Sequence, residues 1–286
     1  MTETSERIEQ AKDKAEETID KVATSRWVER LARFGYATKG LVYIVVGVLA
    51  TLTAMGSGER PKDTYGALHS IALQPFGEIM IGVVAFGLIG YVLWRWVQAI
   101  ADTDDKGNDL KGLSIRVGYG FSGLAYAALA LTAAQILFHT RGDDRGDARK
   151  DWTAWLMSWP YGRWVVGLAG LGVVAFGLYQ IYKGYKAKFR KRLKLGEMGE
   201  AENKWGTLIG RVGYAARGIV FCIVGFFLIQ AALHYNASEV QGLDGALQSL
   251  ARQSFGPWIL GAVALGLVAY GLYMFVEARH RDIAGS

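Results

Sequence analysis

Long apolar stretches alternate with short charged connections along this chain. A helix needs about 20 mostly apolar residues to cross the hydrocarbon core of a membrane. Six segments meet this length, at approximately 34–55, 77–100, 116–138, 163–184, 212–234 and 257–278. A soluble protein of 286 residues could not bury so many spans and still keep a polar shell. The pattern therefore predicts an all-α membrane protein with six transmembrane helices.

The six spans form three similar pairs. The odd-numbered spans open on RFGYATKG at 33–40, RVGYGFSG at 116–123 and RVGYAARG at 211–218. The even-numbered spans repeat glycine at five-residue spacing, at Gly77, Gly82, Gly87, Gly162, Gly167, Gly172, Gly256, Gly261 and Gly266. Agreement of this kind at a fixed period marks an internal repeat.

Each repeat holds two spans, so all three copies enter the membrane in the same sense. This predicts three parallel two-helix repeats in a pseudo-threefold bundle, with odd and even spans in different rings; a two-lobed or open arrangement is the alternative. We place the repeats at 31–100, 114–185 and 208–280. A basic cytoplasmic linker occupies 186–205, and residues 1–30 form a charged cytoplasmic arm, either an amphipathic helix or disordered.

Positive charge is unevenly shared between the connections. The stretch KGYKAKFRKRLK at 183–194 holds seven basic residues and no acid. The positive-inside rule then places both termini in the cytoplasm. The net charge of +6 becomes mainly an orientation signal, so we expect no nucleic-acid partner and do expect contacts with anionic phospholipids.

Glycines recur on one face of each opening segment. Glycine lets helix backbones approach closely, and in lipid such packing replaces the hydrophobic drive between helices. We therefore expect six glycines to pack helices together: Gly35, Gly40, Gly118, Gly123, Gly213 and Gly218.

An arginine opens each copy of the motif, at Arg33, Arg116 and Arg211. A cation at a helix N-terminus opposes the helix dipole, so these arginines call for another explanation. They either snorkel to the interface as anchors or form a ring that binds a phosphate headgroup or another anion.

The seventh motif position reads Lys39, Ser122 and Arg217 in the three copies. A charge at that depth is expensive unless it faces a cavity or a partner. Lys39 and Arg217 are therefore candidate ligands for an anion or a lipid headgroup, and Ser122 is a candidate for lining the axis.

Metal or enzyme chemistry is poorly supported. The histidines on the outer side are His69, His139 and His234, and two histidines without nearby carboxylates would make a poor transition-metal site. The chain shows no Walker loop, nucleophile motif or mid-span carboxylate. We expect no enzyme activity, no catalytic residue and no cofactor.

Three copies of Arg-x-Gly-Tyr-x-x-x-Gly, each followed by a glycine-spaced span, resemble a bacterial integral membrane family defined by a domain of unknown function with three tandem two-helix repeats. The resemblance covers about 30–280. It implies the bacterial cytoplasmic membrane and the repeat fold, and it implies no activity. Three functions stay open: a channel-like bundle, a structural subunit of a larger membrane complex, and a membrane-organising protein that binds anionic lipid.

Overall fold

The computed structural model describes residues 25–283 except 105, 108 and 139–144, and within 145–149 only the backbone. Most of the predicted arm at 1–30 therefore lies outside the described residues, as does His139. The described chain folds into nine α-helices: α1 (Arg26–Ala54), α2 (Thr64–Ala72), α3 (Gly77–Ile100), α4 (Leu110–Leu137), α5 (Arg145–Met157), α6 (Gly162–Tyr185), α7 (Glu200–His234), α8 (Leu243–Ala251) and α9 (Gly256–His280).

Six of these helices are long and apolar enough to cross a membrane: α1, α3, α4, α6, α7 and α9. The prediction of a multi-pass all-α membrane protein is confirmed. Each repeat is one odd span, one short helix and one even span. We call the end of the bundle where α1 begins and α9 ends the terminal end, and the end that carries the short helices the far end.

A tight turn joins each short helix to the even span that follows it. A side chain on Gly77, Gly162 or Gly256 would strike the backbone of the preceding helix, with its Cβ about 2.5 Å from the carbonyl carbon of Ala72, 2.6 Å from that of Leu156 and 2.5 Å from that of Ala251. The first glycine of each five-residue series is therefore required by the turn.

The repeats pack on one another through equivalent pairs of helices. Helix α9 packs on α1, α3 on α4, and α6 on α7. Within the first and third repeats, α1 also packs on α3 and α7 on α9. The pseudo-threefold bundle is confirmed. Extensive contacts in the described structure all join an odd span to an even one, so the spans alternate around one circuit, and the prediction of two rings is wrong.

The second repeat is open. Helices α4 and α6 make little direct contact in the described part of the chain. A Cβ on Gly35 or Gly213 would lie 2.5 Å from the backbone nitrogen of Tyr91 or Tyr270, whereas one on Gly118 would meet no described atom within 4 Å. The prediction that Gly118 packs helices is therefore wrong. We call this space the α4–α6 gap.

The other motif glycines lie against neighbouring spans. A Cβ on Gly40 would stand 2.7 Å from the carbonyl oxygen of Gly271, and one on Gly218 would stand 2.6 Å from that of Gly177. On Gly123 it would lie 3.1 Å from the indole nitrogen of Trp96. These contacts join separate repeats, so Gly40, Gly123 and Gly218 hold the three copies together, whereas Gly35 and Gly213 pack within one repeat.

Candidate anion-binding site

Lys39 lies inside the bundle among tyrosines. Its side chain is 2% exposed, and Nζ donates a hydrogen bond to the Tyr91 hydroxyl at 2.9 Å. The same nitrogen lies 4.7 Å from the centre of the Tyr91 ring and 5.0 Å from that of Tyr126. Neutral rings and one hydroxyl therefore surround this ammonium group.

Arg217 reaches the same place from the third repeat. Its Nε donates to the Tyr43 hydroxyl at 3.1 Å and its Nη1 to the Tyr270 hydroxyl at 3.0 Å. The Tyr270 ring centre lies 4.9 Å from the Arg217 Cζ and 5.6 Å from the Lys39 Nζ. The two charged residues of the seventh motif position therefore meet at one ring, whereas their equivalent Ser122 is a partly exposed residue of α4.

Arg95 of α3 is a third cation in this place, and it lies outside the motif that predicted Lys39 and Arg217. It stands one turn after Tyr91 on the same helix face, and its Nε donates to the Tyr91 hydroxyl at 2.7 Å. Lys39 and Arg95 therefore share one phenol oxygen. We call this group the tyrosine–cation cluster: Lys39, Tyr43, Tyr91, Arg95, Tyr126, Arg217 and Tyr270.

The three cations of the cluster lack a direct counter-charge. None of Lys39, Arg95 and Arg217 forms an ion pair with a carboxylate in the described structure. Cation–π contacts contribute about 2 kcal/mol each when desolvated. Removing an unpaired charge from water costs several kcal/mol, so the cluster carries positive charge that an anion would neutralise.

A second polar group lies between the cluster and the terminal end. We call it the terminal network, and its charged residues are Asp104, Lys183, Arg192, Glu277 and Arg281. Asp104 is its centre, with carboxylate oxygens 3.2 Å from the Arg192 Nη2 and 3.3 Å from the Arg281 Nη2. Burial would raise the pKa of Asp104, but the two guanidinium groups outweigh burial and hold that pKa below its ordinary value.

Gln98 connects the cluster to the terminal network. Its Oε1 accepts from the Arg95 Nη1 at 3.0 Å, and its Nε2 donates to the Asp104 Oδ2 at 3.3 Å. Gln98 is fully buried, so the two polar groups are continuous through the terminal half of the bundle.

Residues equivalent to Gln98 carry opposite charges in the other repeats. Lys183 donates to the Tyr214 hydroxyl at 2.9 Å, and that hydroxyl lies 3.4 Å from the Glu277 Oε1. Glu277 also pairs with Arg281 at 3.6 Å. The cluster and the network together hold six cations and two carboxylates: Lys39, Arg95, Lys183, Arg192, Arg217 and Arg281 against Asp104 and Glu277.

The first two motif arginines cap helices. Arg33 donates from Nη1 to the Ala278 carbonyl at 2.9 Å, near the end of α9. Arg116 donates from Nε to the Ala99 carbonyl at 2.9 Å and from Nη2 to the Ile100 carbonyl at 2.7 Å, at the end of α3. A cation at a helix C-terminus satisfies free carbonyls and complements the dipole.

Arg211, the third motif arginine, makes no such bond to any described residue. It is exposed and lines a groove of about 670 Å³ between α6 and α7. Lys186 and Tyr185 complete the polar part of this groove, and its other lining residues are apolar or small. The three equivalent arginines therefore do not form one ring of free cations.

The histidines of the far end lie in different repeats. His234 pairs with Glu239 at 2.8 Å, so the expectation of no nearby carboxylate is wrong for this histidine. His69 belongs to α2. In the residues that the structure describes, no three His, Cys, Asp or Glu side chains converge on a point that could hold a metal ion.

A known family model matches this chain once in each of the three repeats. The model of the Domain of Unknown Function (DUF1206) family matches the chain three times, at residues 34–102, 117–187 and 212–281. The "Uncharacterized protein YxxB" of Bacillus subtilis (strain 168) is 38% identical over 263 residues, which cover 92% of this chain and 94% of that protein. No solved structure matches. The chain belongs to the DUF1206 family.

Proposed function

We propose that this membrane protein binds a phosphate-type anion in the tyrosine–cation cluster, as the headgroup of an anionic lipid or as a free ion. The observation that carries the proposal is the convergence of Lys39, Arg95 and Arg217 on neutral tyrosines. Without an anion, three like charges face one another in a medium that screens them poorly. A bound phosphate would relieve this repulsion.

The donors suit phosphate oxygens. A guanidinium group offers a planar fork of N–H donors that matches phosphate geometry, and lysine adds a compact point charge. Three phenol hydroxyls, on Tyr91, Tyr43 and Tyr270, accept hydrogen bonds from these cations. The cluster has the residue types of a binding site, and we propose a binding role in preference to a catalytic one.

We further propose that the terminal end faces the cytoplasm of a bacterium. The basic stretch lies at this end, because the Lys194 amide donates to the His280 carbonyl at 2.9 Å. Lys39 follows Arg33 by six residues, or about 9 Å of helix. The cluster would then lie within reach of the headgroups of the cytoplasmic leaflet, where anionic lipids are enriched.

An open conduit through Lys39, Ser122 and Arg217 is a weaker interpretation. The interior of the terminal half is occupied by large side chains that are at most 1% exposed: Tyr36, Tyr91, Trp94, Tyr270 and Tyr273. This packing favours a binding site over a water-filled passage.

The test is lipid retention measured by native mass spectrometry from nanodiscs that hold equal amounts of phosphatidylglycerol and phosphatidylcholine, with a separate arm that titrates inorganic phosphate in detergent. We expect the wild type to retain phosphatidylglycerol or to bind phosphate. A Lys39→Gln/Arg217→Gln double variant should bind the anion about tenfold more weakly, which is about 1.4 kcal/mol. An Arg60→Gln/Arg252→Gln control removes the same charge from exposed positions at the far end and should leave binding unchanged. Equal anion binding by all three proteins would refute the proposal.

A further inference from the structure

Phe121 occupies a position that is small in the other two repeats. Its equivalent in the first repeat is Thr38, whose Cβ would lie 2.7 Å from a Cβ on Gly87. In the third repeat the equivalent Ala216 would overlap a Cβ on Gly266. We call the contact between the odd and the even span of one repeat its seam. The seams of the first and third repeats therefore close with a small residue packed directly on a glycine.

The second repeat cannot close in this way. Gly172 is the equivalent glycine, and a Cβ on it would meet no described atom within 4 Å. A phenyl ring has no room in a contact where a threonine Cβ already approaches the glycine so closely. Phe121 is instead 68% exposed, and its bulk explains why α4 and α6 stay apart.

The α4–α6 gap borders the tyrosine–cation cluster on both sides. On the α6 side, Phe176 is 43% exposed, and its ring centre lies 6.0 Å from the Arg217 Cζ. On the α4 side, the Tyr126 ring centre lies 5.0 Å from the Lys39 Nζ. Arg217 is only partly buried, unlike Lys39, so the cluster is not fully enclosed by the chain.

We propose that the α4–α6 gap is the lateral route by which an anionic phospholipid reaches the cluster, with an acyl chain between α4 and α6 and the phosphate at Arg217 and Lys39. This inference rests on the proposed function and selects lipid as the source of the phosphate. The gap opens between two apolar spans, which suits an acyl chain, and it leads to unpaired positive charge, which suits an anionic headgroup. One open seam among three gives one lipid per chain.

Spin-label distances measure the gap, and the repeat supplies a matched control. Labels at Leu124→Cys and Leu171→Cys report on the second repeat, and labels at the equivalent Ile219→Cys and Leu265→Cys report on the third. All four positions are exposed, and Cys222→Ala removes the natural thiol. In nanodiscs that contain phosphatidylglycerol, the first pair should be farther apart than the second.

Phe121→Ala gives the second repeat the residue that the third repeat has at this position. The distance between the labels of the second repeat should then shorten toward that of the third repeat. The affinity for phosphatidylglycerol should fall about tenfold. Phe226→Ala removes an exposed phenyl group from α7 and should change neither quantity.

The outcomes separate this inference from the proposed function. Full lipid retention by Phe121→Ala, together with a loss in the Lys39→Gln/Arg217→Gln variant, would overturn the lateral route and keep the anion site. Retention unaffected by either change would overturn both. A second protein chain in the wild-type complex in place of lipid would assign the gap to a partner helix and would also overturn the inference.

Discussion

Lys39 and Arg217 occupy the same position in two different repeats, and both approach the ring of Tyr270, at 5.6 Å and 4.9 Å. The third equivalent is the uncharged Ser122. Two like charges thus meet inside the bundle, on the side of the α4–α6 gap. This asymmetry is the structural basis of the site proposed above.

Removal of the Lys39 charge should stabilise the protein when no anion is bound. Holding an unpaired charge out of water costs several kcal/mol, and an apolar residue of similar volume at this position removes that cost. We expect Lys39→Met to raise the midpoint of thermal unfolding in lipid-free detergent and to lose the additional stabilisation that phosphatidylglycerol gives the wild type. Arg252→Met, at an exposed position of the far end, should do neither. A lower midpoint for Lys39→Met without lipid would contradict this expectation.

Alanine should be tolerated at only one of two equivalent glycines. Gly87→Ala forces a Cβ onto Thr38 and should destabilise the protein by about 1–3 kcal/mol. Gly172→Ala points into the α4–α6 gap and should be neutral or stabilising by up to about 1 kcal/mol, because alanine favours helix. Unfolding free energies in one detergent test the pair, and equal losses would show that the seam of the second repeat is closed.

Asp104→Asn should leave Arg192 and Arg281 without their shared carboxylate. Breaking a buried ion pair on one side costs about 3–5 kcal/mol, so unfolding near pH 7 should occur at a clearly lower temperature. Glu197→Gln, an exposed substitution, serves as the control. A loss no greater than that of the control would contradict the account of the terminal network.

The same carboxylate predicts an acid-sensitive stability. Since the folded state lowers the pKa of Asp104, its contribution is complete above the unfolded pKa of about 3.9 and declines as the pH falls below that value. As the pH is lowered from about 4, the free energy of unfolding of the wild type should therefore fall by more than that of Asp104→Asn. Parallel stability profiles for the two proteins would contradict this.

The motif arginines should differ in their effect on stability. Arg33→Gln and Arg116→Gln each remove hydrogen bonds to helix-terminal carbonyls and should cost about 1–2 kcal/mol. Arg211→Gln removes no hydrogen bond within the described structure and should have almost no effect. The three variants can be compared by thermal unfolding in the same detergent. Equal losses would mean that Arg211 also caps a helix.

The spans and the repeat were predictable because both are written directly in residue order. Apolar length fixes the number of crossings, and the recurring motif fixes three copies of one unit. Lys39 and Arg217 could be selected from depth alone, since a charge inside an apolar run needs a partner. The sequence could not show which ring would receive both of them.

The separation of α4 from α6 in the second repeat could not be predicted from the sequence, because it depends on contacts between helices. Phe121 stands beside Ser122 in the motif, and only the packing of Thr38 on Gly87 and of Ala216 on Gly266 reveals that a large residue there keeps two helices apart. Arg95 was also missed, although it lies four residues after Tyr91 on a helix. A comparison of charge at equivalent depths in the even spans would have found it.

The central claim is that Lys39 and Arg217 hold the phosphate of a lipid that lies in the α4–α6 gap. Electron cryomicroscopy of the protein in nanodiscs that contain phosphatidylglycerol tests it most directly. The account predicts phosphate density within hydrogen-bonding distance of Arg217 and Lys39, continuous with acyl-chain density between α4 and α6. Side chains packed against one another at the cluster, with α4 and α6 in contact and no lipid between them, would contradict it.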